Sequence, residues 1–241
     1  MELVKATKQN NIKKVQEILR QKNIDVDFVD SNYYNWTSLH YACTNGFLEI
    51  VKLLLQDERV EVNKQDNGYT PFYIACANGK IEVVKYMMQD QRIDVNKQDN
   101  CNGTPFHAAC QNSKIEVVKH MMQDQRIDIN KQDNYNTTPI WAACDNNRTQ
   151  IVQVILQSGR YINLDAKYQN KTPLEQAREK GYQEIANLLT EYISNPLGYF
   201  KEIFENQFQA GKLEIIQQSL KAHITTLLSL FSTYHNLTSI R

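Results

Sequence analysis

Four of the most reactive side chains in this sequence recur at one spacing. Cys43, Cys76, Cys110 and Cys144 each follow an alanine, 33 or 34 residues apart. Thiols could pair, ligate zinc or act as nucleophiles. Equivalent points on stacked helical repeats stand about 10 Å apart, whereas a disulfide needs Cα atoms closer than about 7 Å. Structural zinc sites gather their ligands in local clusters, which this spacing does not supply. The four thiols therefore read as small buried fillers, and Cys101, in a turn, reads as exposed. The histidines give no better chemistry. His40 and His107 share one position of the recurring pattern, but Tyr73 and Trp141 replace them in other copies, so the position is not tied to proton transfer. His120, His223 and His235 have no Cys, Ser or carboxylate at a spacing that suggests a triad or a metal site. No glycine-rich phosphate loop occurs. The expectation is a protein that is not an enzyme, with no catalytic residue, no cofactor and no metal.

Composition narrows the class further. At 241 residues, 41% of them hydrophobic and 22% charged, the chain can bury a sizeable core. Lys+Arg and Asp+Glu both total 27, and that balance argues against nucleic acid, which calls for a basic face. Asn and Gln make up roughly a fifth of the chain, but they lie within a strict repeat rather than a low-complexity tract. The first residues are too polar for a signal peptide, and no apolar run reaches bilayer length. An intracellular, cytoplasmic protein without membrane insertion is expected.

The elements that carry these side chains form a tandem repeat. Residues 79–100 and 113–134 differ only at Gly79/Ser113, Tyr86/His120 and Val95/Ile129. Thr37, Thr70, Thr104, Thr138 and Thr172 are separated by 33, 34, 34 and 34 residues, and proline follows the last four. Threonine caps free N–H groups at a helix start, and proline suits the first helical position, where its missing N–H is not needed. A short helix with Leu39 and Ala42, Phe72 and Ala75, or Phe106 and Ala109 on one face should follow. It ends at Asn45-Gly46, Asn78-Gly79 or Lys180-Gly181, where glycine takes a left-handed C-cap. Ser113 and Asn147 stand there in repeats four and five, and serine tolerates that conformation less well than asparagine. Second helices are expected over 48–55, 81–88, 115–122 and 151–156, with exposed Glu49/Lys52, Glu82/Lys85 and Glu116/Lys119 pairs. An extended turn such as 93–100 then leads to the next threonine.

This succession of turn, Thr-Pro-Leu-His-like helix, glycine and second helix resembles the ankyrin repeat. Tetratricopeptide repeats share the period but begin differently and lack the hairpin. The resemblance covers residues 1–193 as six units, the first truncated and opening at Met1-Glu2-Leu3. It implies an all-α solenoid of stacked helix-turn-helix units with projecting β-hairpin-like turns, finished by a C-terminal helical cap. One departure is systematic. Where the family has Gly-Ala-Asp-Val-Asn, this chain has 57–63 and 90–96, a turn one residue longer and without glycine.

The resemblance also implies a function: a non-catalytic adaptor or scaffold that binds a protein partner in the concave groove lined by turn tips and first helices. The turn positions are Tyr33, Tyr34, Trp36, Asn67, Tyr69, Cys101, Asn102, Tyr135, Thr137, Tyr168 and Lys171. Those on first helices are Thr44, Ala77, Asn78, Gln111, Asn112, Asp145 and Asn146. Tyr and Trp supply contact area at little entropic cost. Tyr33, Tyr34 and Tyr135 read as contact residues, whereas Trp36 and Tyr69 read equally well as packing on the neighbouring turn. Asn and Gln between aromatics predict a wet, hydrogen-bonded interface.

Beyond Asn195 the threonine pattern stops. The residues 194–241 form a separate tail, with a breaker at Pro196 and Gly198 and an apolar stripe of Phe200, Ile203, Phe204 and Phe208. Leu213, Ile216, Leu220, Ile224, Leu227 and Phe231 continue at helical steps. Two readings stand: a degenerate seventh repeat that caps the solenoid, or an amphipathic helix through which the chain self-associates or docks as a structural subunit of a larger assembly.

Overall fold

The computed structural model describes residues 1–31 and 35–195. The tail stripes and both readings of them, together with Tyr33 and Tyr34, lie outside the described residues. Among the described residues there are twelve helices in six pairs: α1 (Glu2–Lys8) and α2 (Ile12–Leu19), α3 (Ser38–Asn45) and α4 (Leu48–Gln56), α5 (Pro71–Ala77) and α6 (Ile81–Met87), α7 (Pro105–Gln111) and α8 (Ile115–Met121), α9 (Pro139–Asp145) and α10 (Thr149–Leu156), α11 (Pro173–Glu179) and α12 (Gln183–Ser194). First helices pack on first helices along the row, and second helices on second helices behind them.

Local chemistry sets each pair. The Thr70 Oγ1 accepts the N–H of Tyr73 at 3.1 Å, and Pro71 takes the first helical position. Thr37, Thr104, Thr138 and Thr172 cap in the same way. Gly46, Gly79 and Gly181 have φ of +77°, +71° and +72°, and Ser113 and Asn147 are held at +57° and +55°. The left-handed turn is therefore kept without glycine in repeats four and five. The second helices α6 and α8 stop one residue short of the sequence expectation, with Met88 and Met122 as C-caps, and α10 starts earlier, at Thr149.

One apolar core runs the length of the stack, with Leu39, Phe72, Phe106 and Ile140 fully buried from successive first helices. Cys43, Cys76, Cys110 and Cys144 are free and buried, and Cys101 is exposed. The Cys43 Sγ lies 3.5 Å from Met87 Sδ of the next repeat. The Cys76 Sγ lies 3.8 Å from Met121 Sδ in the same way.

The turn without glycine has its own architecture. The Asp57 Oδ1 accepts the Arg59 N–H at 3.1 Å, and the Arg59 guanidinium pairs with the same carboxylate while donating to the Leu19 carbonyl at 2.9 Å. Arg92 repeats this with Asp90 and the Leu55 carbonyl, and Arg126 with Asp124 and the Met88 carbonyl. Every one of those carbonyls closes the second helix of the preceding repeat, where a cation is favoured. An arginine staple thus joins the repeats at these turns without glycine, and Arg160, beside Gly159, likewise reaches the Ile127 carbonyl at 2.6 Å. A second ladder runs beside it. The Asn63 side chain donates to the Arg92 carbonyl and accepts the Asp94 N–H; Asn96 and Asn130 do the same one and two repeats on.

Candidate partner-binding groove

Loop length decides what each turn presents. The 33-residue spacing leaves two residues between Asp66 and Tyr69, Asn67 at φ +47° and Gly68 at +87°, the type I′ hairpin geometry. The 34-residue spacings that end at Thr104 and Thr138 leave three, and the extra N–H groups are gathered by an aspartate. The Asp99 Oδ1 accepts from Cys101 and Gly103, both at 2.8 Å, and the Asp133 Oδ1 accepts from Tyr135 and Thr137 at 2.9 and 2.8 Å. Isolated antiparallel bridges also close Asp30 to Trp36 and Tyr168 to Lys171. These are hairpin-like turns without strands.

Asp66 differs from Asp99 and Asp133 in what its second oxygen meets. It is 7% exposed, and its Oδ2 finds no partner. Burial holds its carboxyl above the usual range. The matching oxygen of Asp99 accepts the Tyr73 hydroxyl at 2.9 Å, and that of Asp133 accepts the Thr137 hydroxyl at 2.7 Å.

The motif histidines join one turn to the next. The Nδ1 of His40 accepts the Thr37 N–H at 3.2 Å, so Nε2 carries the proton and donates to the Tyr69 carbonyl at 3.1 Å. His107 does likewise with Thr104 and the Thr137 carbonyl, and the Trp141 Nε1–H reaches the Lys171 carbonyl at 3.1 Å. Burial pushes His40 down to about 4 and lowers His107 as well. Both are neutral at neutral pH, and each is engaged through both ring nitrogens.

The aromatics expected at the turn tips divide. Trp36 is half-buried, stacked on His40 and set edge-on to Tyr41 at 5.2 Å between centroids. Tyr69 is 39% exposed and leans on Tyr73 at 4.9 Å. Tyr135 is 55% exposed and meets Tyr168 edge to face at 5.7 Å; Tyr168 in turn meets Trp141 at 5.4 Å. Three rings of repeats five and six thus run together, from an exposed tip to a buried indole. Sequence reading took Trp141 only as a substitute for histidine and missed this.

The polar positions are partly committed to the fold. Asn78, Asn112 and Asn146 each donate their side-chain N–H to the carbonyl four residues back, at 3.0, 2.8 and 2.9 Å. Asn102 donates to Asn134 on the neighbouring turn. Asp145 accepts from Gln176 and from Lys180, each at 2.6 Å, which binds repeat five to repeat six. Gln111 and Asn67 are exposed. Among the described residues no group of three or more His, Cys, Asp and Glu side chains is placed to hold a metal ion, and no helix there is long and apolar enough to cross a membrane.

Comparison with known proteins agrees with this architecture. A family profile of ankyrin repeats in three copies matches residues 3–99 and 106–197, and a profile of many copies matches 79–121. A solved structure, the ankyrin repeat protein EF0377, aligns with a TM-score of 0.71 at 30% identity, over 79% of this chain and 97% of that one. No curated protein matches the chain. Ankyrin repeats are generally modules of protein–protein interaction and typically non-catalytic. With helix pairs, capping threonines and turns all in register, this chain belongs to the ankyrin-repeat family.

Proposed function

We propose that this chain is a non-catalytic, intracellular adaptor that holds a protein partner against its concave face, the face of turn tips and first helices. The observation that supports the reading is the exposure of Tyr69 and Tyr135 at the turn tips; among the described residues Met1, Tyr161 and Ile193 are the other exposed large apolar side chains. Exposed tyrosine is a common anchor of protein interfaces. Asn78 and Asn112 are exposed at the ends of α5 and α7, where their side-chain oxygens supply acceptors for a polar, hydrated contact. With the motif histidines buried and neutral, the groove offers contact rather than acid–base chemistry. Replacing Tyr69 and Tyr135 together by Ala tests this. Partners that co-purify with the parent chain should be lost, with helicity and melting unchanged. Retention of the same partners by the double variant counts against the groove.

A further inference from the structure

We propose that Asn67 is a site of spontaneous deamidation, singled out by the fold from the four Asn-Gly dipeptides in the chain. In this reaction the backbone nitrogen of the following glycine attacks the side-chain carbonyl carbon of asparagine. A C–N bond forms, the bond to Nδ2 breaks, and ammonia leaves with the glycine's proton. Water then opens the resulting imide at either carbonyl, giving aspartate or isoaspartate. Two groups must be free for ring closure: the asparagine amide and the glycine N–H.

Three of the four dipeptides have both groups engaged. At Asn45-Gly46 the amide donates to the Tyr41 carbonyl and the glycine N–H to Cys43. At Asn78-Gly79 the partners are the carbonyls of Ile74 and Cys76. At Asn102-Gly103 they are Asn134 and the Asp99 carboxylate. Asn67 is exposed with no partner for its amide, and the Gly68 N–H likewise makes no bond. Its hairpin closes through Asp66 and Tyr69 and through Gln65, which donates to the Gly68 carbonyl, so the attacking nitrogen is spared. The fold also fixes the dipeptide's second member. A Cβ at Gly68 would stand 2.6 Å from the backbone nitrogen of Asn100, and φ is +87°, so only glycine fits.

The products differ from asparagine at a sensitive point. Aspartate would place a new negative charge beside the buried Asp66 carboxylate, whose Oδ2 has no partner. Isoaspartate adds a methylene to the backbone of a two-residue turn whose Tyr69 carbonyl receives His40. This chemistry is independent of the groove's being a binding surface, so the two proposals stand or fall apart.

The test is peptide mapping by mass spectrometry of the full chain during incubation in mildly alkaline buffer, once folded and once in urea. Each hydrogen bond that must open first slows the reaction by up to about tenfold. Folded, Asn67 should therefore convert roughly tenfold or more ahead of Asn45, Asn78 and Asn102. In urea the four rates should converge. Equal rates in the folded chain overturn the proposal, and so does a preference for Asn67 that survives in urea. The early acidic variant seen by ion exchange should vanish from Asn67→Gln; if it persists, the site lies elsewhere.

Discussion

His40 and Asp66 explain each other once the repeats are superposed. Tyr73, at the position of His40 one repeat on, sends its hydroxyl to Asp99, the aspartate of the following turn. Residue 40 is a histidine and binds the Tyr69 carbonyl instead, so Asp66 is left with a bare oxygen. A buried unsatisfied oxygen costs stability. The histidine carries a pH cost as well. Its folded value is pushed from 6.5 down to about 4 by burial. As pH falls through 6.5 the unfolded chain takes up the proton first, so stability drops until the folded value is passed, by roughly 1–2 kcal/mol between pH 7 and pH 5. His107 adds to the same slope. His40→Tyr should flatten its share of that slope and supply a donor to Asp66. Urea melts of both proteins at pH 7 and pH 5 check this; equal losses on acidification would refute the assignment.

At the scale of elements, the repeats are joined by devices that act across 33 or 34 residues, and these divide what was legible in the sequence from what was not. Helix starts were legible because Thr70 and Tyr73 are three residues apart and cap locally. Left-handed stops at Ser113 and Asn147 were legible for the same reason. The Asp90–Arg92 staple was visible only as an oddity, since the carbonyl it reaches, that of Leu55, is a neighbour through stacking alone. In the site, the exposed Tyr135 was readable from its turn. The commitment of Asp145 to Lys180 was not, because it depends on the fit between α9 and α11. Arg92→Ala should cost about 1 kcal/mol, less than a buried charged bond because the guanidinium is partly exposed. Arg92→Lys should recover little of it, since an ammonium keeps the charge but not the planar fork. Thermal melts of the two variants give the comparison.

The whole molecule inherits its mechanics from this joinery. Among the described residues each pair packs chiefly against its neighbours, and the core is one uninterrupted column. In such a stack stability is close to a sum of repeat and interface terms, and a defect weakens its surroundings before it reaches the ends. The sixth pair departs from the others. Where α7 buries Cys110 and its partner helix ends on Met122, α11 carries Arg178, whose guanidinium donates to Thr190 at 3.2 Å. The centre is therefore the point of greatest leverage. Phe106 is fully buried in α7 with pairs on both sides, and Phe106→Ala should cost about 3–5 kcal/mol through the cavity it leaves. Hydrogen exchange on that variant, compared helix by helix with the parent chain, should show protection lost first in α7 and α8, then in α5, α6, α9 and α10. Loss spread evenly over all six pairs would mean that the chain unfolds as a single cooperative globule, and nearest-neighbour stacking would no longer describe it.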